Sequence, residues 1–421
     1  MEGTFATTTV GSLAAGVRSG RWTAVELMER CAAALADAHA LTGCVAAFDT
    51  ERALVAAEGL DAAMEAGAGP VGPLHGVPFT VKDWIDVEGL PGTGGWSRFR
   101  DRRPTRDATV VTRLRAAGAV LVAKTAPLVE SEVYGVVRNP HDPSRSPGGS
   151  SSGEGAAVGA GASPLGLGSD SGGSVRLPAA WCGVAGLKPT AGRVPTTGHF
   201  PRVGLRSDGR TQIGPLVRDP ADLDLVLRVL QGPDGRDAGV APVPLGLVAD
   251  VVVEGLRVAW CPGSPGWTPD GAVGRAVAAA VERLGSAGCS LAGELDLRLD
   301  EAFDVTQRYW DRGRLTGEQV AGQLSDWDRY SSRMLGALDG IDAVVLPAAR
   351  EPAPPHRELV GADYVFTLPA SLTGWPAVVV PVGAHEGLPV AVQVLARPWR
   401  DDVALALSSQ IAFRSPPMSG F

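Results

Sequence analysis

The stretch Ser146-Pro147-Gly148-Gly149-Ser150-Ser151-Ser152-Gly153-Glu154-Gly155 has the composition of a flexible linker. The residues after it argue otherwise. The apolar pieces 156–160 and 164–168 recur at regular intervals, and a second cluster, Gly168-Ser169-Asp170-Ser171-Gly172-Gly173-Ser174-Val175-Arg176, comes next. Each Gly-Gly pair is followed by a serine, and Ser150 and Ser174 stand 24 residues apart. A small helix over 155–161 and an apolar strand over 164–168 fit between them. Small residues let a backbone turn sharply and approach a substrate closely. They also leave amide N–H groups free to converge on one point, as an anion or oxyanion site requires.

Outward from this stretch the pattern is α/β. Apolar residues at helical spacing predict helices over 10–18, 24–38 and 51–66, with Thr23 as an N-cap. Turn residues then lead into Phe79-Thr80-Val81-Lys82-Asp83, a short β-branched strand. A helix over 109–117 closes at Gly118, and a buried strand over 119–123 ends at Lys124. Beyond residue 200, helices are expected over 220–230 and 270–287, and strands over 256–260 and 343–346. The segment 364–392 reads as strand and turn around Gly374-Trp375-Pro376. Helices alternating with strands indicate one large α/β domain over 1–421.

The chain has 421 residues, 45% of them hydrophobic and 20% charged, which excludes a disordered chain and allows a large core. The 55 glycines and 33 prolines follow no collagen period. The net charge of -8, with no basic run, argues against a nucleic-acid partner. Five scattered cysteines (Cys31, Cys44, Cys182, Cys261, Cys289) lack metal-ligand or disulfide spacing. Neither a basic-then-apolar leader nor an apolar run long enough to span a membrane is visible. The location expected is therefore the cytoplasm. Only three of the 38 basic residues are lysines: Lys82, Lys124 and Lys188. Arginine keeps its proton in a protein whereas a buried lysine can lose it, so any lysine-based proton transfer falls to one of three positions.

Three chemistries compete for the serine clusters. A phosphate cradle lacks both GxxxxGK[ST] and a GxGxxG that opens a helix after a strand. A nucleophile elbow matches Gly149-Ser150-Ser151-Ser152-Gly153 formally, with Ser151 as nucleophile and His356 or His385 as base. It needs a strand just before it, where Asp142-Pro143-Ser144-Arg145-Ser146-Pro147 stands. The third is a serine activated by a lysine that burial keeps neutral. Lys82, at the end of an apolar strand, suits that role.

The motifs Gly76-Val77-Pro78-Phe79-Thr80-Val81-Lys82-Asp83, Gly149-Ser150-Ser151-Ser152-Gly153, Gly168 to Arg176 and Cys182-Gly183-Val184-Ala185-Gly186-Leu187-Lys188-Pro189-Thr190 resemble the amidase signature family. So do Gly214-Pro215-Leu216-Val217-Arg218-Asp219, Leu372-Thr373-Gly374-Trp375-Pro376-Ala377 and Gly387-Leu388-Pro389-Val390-Ala391-Val392-Gln393, all in the family's order. The resemblance implies a large mixed, mostly parallel β-sheet flanked by helices on both faces. It divides the chain into a helical segment over 1–70, a signature core about 72–235, a variable pocket-forming segment about 236–345 and a closing segment over 346–421. It implies a triad of Ser174 as nucleophile, Ser150 in a cis peptide as bridge, and Lys82 as general base. The N–H groups of Ser171, Gly172, Gly173 and Ser174 would form the oxyanion hole. Ser151, Asp170 and Arg176 would support the loop, with Lys124 and Lys188 left to structural pairing.

The activity so implied is hydrolysis of a linear, non-peptide amide to carboxylate and ammonia or amine, without cofactor or metal. The same acyl-enzyme would serve an acyltransferase, or the glutaminase-type subunit of an amidotransferase complex. The partners expected are a small-molecule amide and, at most, a second copy in a homodimer. The chain departs from the family pattern at Ala126, where Asn is usual after Lys-Thr, at Ser152 and Ala391, where glycine is usual, and in its short 235–345 region.

Overall fold

The computed structural model describes residues 5–204 and 208–413; the first four residues, which belong to the leader reading, lie outside them. Along the chain the strands are β1 (Val45–Phe48), β2 (Pro78–Lys82), β3 (Val120–Thr125), β4 (Glu130–Ser131), β5 (Gly135–Val136), β6 (Leu165–Asp170) and β7 (Ala185–Lys188). They continue with β8 (Gln212–Val217), β9 (Arg257–Trp260), β10 (Ser290–Glu294), β11 (Ala343–Pro347), β12 (Ala377–His385) and β13 (Leu388–Ala396). Eleven of them form one sheet in the order β1-β3-β2-β6-β8-β7-β12-β13-β11-β9-β10, while β4 and β5 pair separately.

The sheet is mixed, as expected, but its balance differs from the mostly parallel one anticipated. The β2–β3, β2–β6, β9–β11 and β9–β10 ladders are parallel. The other six are antiparallel. A parallel neighbour needs a long crossover, and a short link permits only a reversal. β12 and β13 are joined by Glu386 and Gly387, whose φ values of 50° and 78° suit a two-residue hairpin turn.

Helices cover both faces. Val378 and Val380 of β12 join the core cluster that holds Val403 and Leu407 of helix Asp401–Ile411. Val379 between them joins Ala179 and Trp181 of helix Arg176–Cys182. In β11, Val345 packs in the first cluster with Val277 and Val281 of helix Gly271–Ser286. Val344 and Leu346 face Tyr330 and Met334 of helix Gly317–Ala337. This two-residue alternation is the strand signature of a sheet buried on both sides.

Several sequence expectations shift. The helix expected over 155–161 runs Ser152–Gly159, and the following strand is Leu165–Asp170. Lys124 lies inside β3, one residue before its end. The start of 364–392 is helical rather than extended. A 3-10 turn, Gly361–Thr367, leads into helix Leu368–Thr373 with Pro369 in its first turn, where proline's missing N–H is harmless. Gly374 then closes that helix at φ 71°.

β2 and β6 are parallel neighbours, with Thr80 opposite Gly166 and Val81 opposite Leu167. Their carboxyl ends therefore open on the same edge of the sheet, where loops of such folds place their chemistry. Lys82 ends one strand and Asp170 the other.

Candidate active site

Lys82 is fully buried. Its Nζ lies 2.7 Å from Ser150 Oγ and 3.2 Å from Ser169 Oγ, over the face of Trp84 at 3.8 Å from the ring centroid. Burial pushes its pKa well below the usual lysine value; the charges of Asp170 and Glu154 oppose that shift without reversing it. The Trp84 face also favours the ammonium, by about 0.5–2 kcal/mol. Desolvation is the larger effect, because both bonded partners are hydroxyls rather than carboxylates.

The Gly149–Ser150 peptide is cis, as the resemblance implied. Its segment is tied down on several sides. Tyr364 donates its hydroxyl to the Gly149 carbonyl at 3.0 Å, and the Leu128 amide donates to the Ser150 carbonyl at 2.9 Å. The Ser151 amide donates to the Ser174 carbonyl at 3.1 Å, which joins the two serine clusters directly. Ser151 Oγ sits 3.3 Å from both the amide and the carbonyl of Ser169. Ser152, at a position expected to hold glycine, donates its hydroxyl to the Gly148 carbonyl at 2.7 Å.

The second cluster is organised by Asp170. Its carboxylate accepts from the amides of Gly173 (2.7 Å) and Val175 (3.1 Å) and from Arg176 Nε (3.0 Å) and Nη2 (2.9 Å). Burial would raise its pKa, but the Arg176 guanidinium, together with Lys188 and the Val175 amide, outweighs that and holds it at about 2. Arg176, also buried, donates onward to the Thr367 carbonyl (2.6 Å), Ser371 Oγ (2.8 Å) and Gln393 Oε1 (3.3 Å). The loop is thereby clamped to residues some 190 to 220 positions away in sequence.

This clamp corrects one expectation. The Gly173 N–H is committed to Asp170, so it is not free to meet an oxyanion. The amides of Ser171, Gly172 and Ser174 have no acceptor among the described residues and remain available. Gly173 instead keeps the turn closely packed. Its φ is 133°, and a Cβ there would come within 2.2 Å of Thr367 Oγ1. That hydroxyl shares its one proton between the carbonyls of Gly172 (2.5 Å) and Tyr364 (2.6 Å).

Ser150, Ser171, Gly172 and Ser174 line a cavity of about 670 Å³, walled by Trp84, Leu359, Trp310 and Tyr364. The other two lysines lie apart from it. Lys124 pairs with Asp83 at 3.0 Å, as expected of a structural lysine. Lys188 donates to the Pro189 carbonyl at 3.0 Å, and burial together with Arg176 lowers its pKa to about 7. Sequence reasoning missed Trp84, Glu154, Tyr364, Thr367, Ser371 and the role of Gln393. Glu154 accepts from the Thr80 and Thr125 hydroxyls at 2.7 Å each, and burial lifts its pKa to about 8. Tyr364, Thr367 and Ser371 stand just before the quoted Leu372–Ala377 motif, but only the fold reveals their distance to Ser150 and Arg176.

A buried amine bonded to the Ser150 hydroxyl, with Ser150, Ser174 and free amides lining one cavity, suits serine-dependent acyl transfer. The chain belongs to the Amidase family, whose model matches residues 26–302 and 314–405. It is 33% identical to a glutamyl-tRNA(Gln) amidotransferase subunit of Chloroflexus aurantiacus, over 94% of each chain. It is equally 33% identical to an acylamidase of Rhodococcus erythropolis, over 93% of this chain and 92% of that one. Among solved structures it is similar to 6-aminohexanoate cyclic dimer hydrolase, with a TM-score of 0.84, 26% identity and 96% coverage of both chains. The chain is thus an amidase-family enzyme built on the amidase-signature fold.

Proposed function

We propose that this enzyme hydrolyses a small-molecule carboxamide through an acyl-Ser174 intermediate, with Ser150 as the proton bridge and Lys82 as the base. The observation that carries this reading is the 2.7 Å approach of the buried Lys82 Nζ to Ser150 Oγ, on a segment bonded directly to Ser174. Neutral Lys82 takes the Ser150 proton while Ser150 takes the proton of Ser174. The Ser174 oxygen attacks the carbonyl carbon, and the oxyanion is met by the amides of Ser171, Gly172 and Ser174. The proton then returns through Ser150 to the leaving nitrogen, which cannot depart as an anion. The C–N bond breaks and amine or ammonia leaves. Water repeats the relay to release the carboxylate and restore Ser174.

Supporting residues have assigned roles in this reading. Asp170 and Arg176 hold the nucleophile loop, Ser151 and Ser169 hold the bridge, and Tyr364 braces the Gly149 carbonyl. A panel of amides and esters (short aliphatic, aryl, long acyl and glutamine), with mass detection of the acyl-enzyme, tests it. An acyl adduct on Ser174 is expected; an adduct elsewhere would overturn the assignment.

The similarity to an amidotransferase component favours a second reading, in which the chain releases ammonia only inside a complex. Turnover by the purified chain, alone or as a homodimer, would exclude it. No helix among the described residues is long and apolar enough to cross a membrane. Five buried, unpaired thiols support a reducing, cytoplasmic setting.

A further inference from the structure

Arg210 is a buried cation that the proposed mechanism does not use. It is 1% exposed, and none of its three side-chain nitrogens has a hydrogen-bond partner among the described residues. The neighbouring Asp208 carboxylate turns elsewhere: it accepts from Thr211 Oγ1 at 2.8 Å and from the amides of Arg210 and Thr211 at 3.3 Å. The guanidinium instead rests among aromatic rings, 4.6 Å from the Tyr309 centroid, 5.8 Å from Trp327 and 6.0 Å from Trp310. Such contacts offset part of the desolvation of a buried charge, but they leave its N–H donors unmet. A guanidinium fork with no acceptor among the described residues matches a carboxylate, which takes two parallel N–H bonds.

The position of Arg210 says which carboxylate. A Cβ built on Gly172 would lie 3.8 Å from Arg210 Nη2 and 2.8 Å from Trp310 Cζ2. The guanidinium therefore stands directly behind the turn that presents free amides to the cavity. Trp310 touches that turn, lines the cavity, ends helix Leu299–Trp310 and is 39% exposed, so its ring is not enclosed by the core. Arg357, the arginine that lines the cavity itself, is already forked onto Asp363 at 2.7 and 2.9 Å.

We propose that Arg210 determines specificity by binding a carboxylate on the acyl portion of the substrate, reached when Trp310 turns away from Gly172. The favoured substrate is then a short half-amide of a dicarboxylic acid, its carboxylate a few bonds from the scissile carbonyl. This rests on Ser174 being the nucleophile that attacks that carbonyl.

The test compares succinamate with butyramide, its neutral counterpart of similar length, on the full-length enzyme. The expected kcat/KM ratio favours succinamate by about tenfold or more, the scale of one charge-assisted hydrogen bond. Arg210→Met should lose about tenfold more on succinamate than on butyramide, mainly through KM, and Arg210→Lys should recover some of that loss. Equal losses on both amides, or a wild-type preference for butyramide, would overturn the proposal.

A binding measurement needs no change at Arg210. In Ser174→Ala, succinamate should raise Tm and butyramide should not; no shift with succinamate overturns the proposal. If wild type turns over neither amide yet succinamate still raises Tm, and Arg210→Met removes that shift, the hydrolytic reading falls and the anion site stands.

Discussion

Lys82 Nζ and Ser150 Oγ lie 2.7 Å apart, with the amine wholly buried and its second bonded partner, Ser169, also a hydroxyl. A lysine so placed has no bonded carboxylate to hold its charge. It is therefore suited to accept a proton rather than to form an ion pair.

Removing the amine should separate activity from stability. Lys82→Met is expected to lower kcat/KM by about 10²–10⁴-fold, the range of general-base contributions. In the wild type, activity should rise with pH as Lys82 loses its proton, through a pKa well below the usual lysine value. In the variant that rise should disappear; an unchanged pH profile would sink the base assignment. Stability moves the other way. Between the lowered folded pKa and the unfolded value near 10.5, the unfolded chain binds more protons, so this group makes the wild type less stable as pH falls. Lys82→Met should remove that penalty and melt higher at neutral pH than the wild type.

Ser174→Ala should abolish labelling by a fluorophosphonate and reduce turnover by about a thousandfold or more. Peptide mapping of the labelled wild type locates the adduct. Label on Ser151 would instead favour the elbow chemistry considered from sequence.

The Asp170–Arg176 pair should matter for folding as well as rate. Asp170→Asn removes the charge that faces the buried guanidinium, and breaking such a pair costs about 3–5 kcal/mol. Urea unfolding should report a loss of that order. The carboxyl pKa of Asp170 is held at about 2, below its unfolded value. Its stabilisation is therefore complete above the unfolded pKa and is lost as pH falls through about 2. Asp170→Asn should flatten the acid limb of the stability curve.

The two glycines before Ser174 should respond differently to alanine. At Gly173 the methyl meets Thr367 Oγ1, a hydroxyl fixed by two carbonyls, in a backbone region hostile to side chains. At Gly172 it meets Trp310, a partly exposed ring. Gly173→Ala should therefore cost about 1–3 kcal/mol in thermal unfolding, and Gly172→Ala less. Equal costs would contradict the clamp.

Much of the site was legible in sequence because its members carry distinctive local signals. Lys82 ends a β-branched apolar run, and Ser150 and Ser174 each follow a Gly-Gly pair. The helical start of 364–392 was not, since Tyr364, Val365 and Phe366 have strand composition, yet the segment coils with Val365 and Phe366 in the core and Thr367 on Arg176. The ladder balance was hidden for a similar reason. Strand composition does not say which neighbour a strand chooses, and the antiparallel pairing of β7, β8, β12 and β13 is left open by local pattern.

By itself, the sequence determined the α/β class, the family resemblance and the reduction of a lysine base to three positions, of which the motifs favour Lys82. Those features are local: residue type, period and spacing suffice. Tertiary structure decided what depends on distance across the chain. It committed the Gly173 amide to Asp170, brought Thr367, Ser371 and Gln393 onto Arg176, and left Arg210, behind Gly172, without an acceptor among the described residues. Hydrogen bonding and desolvation act over a few ångströms, whereas these partners are up to 217 residues apart in the chain.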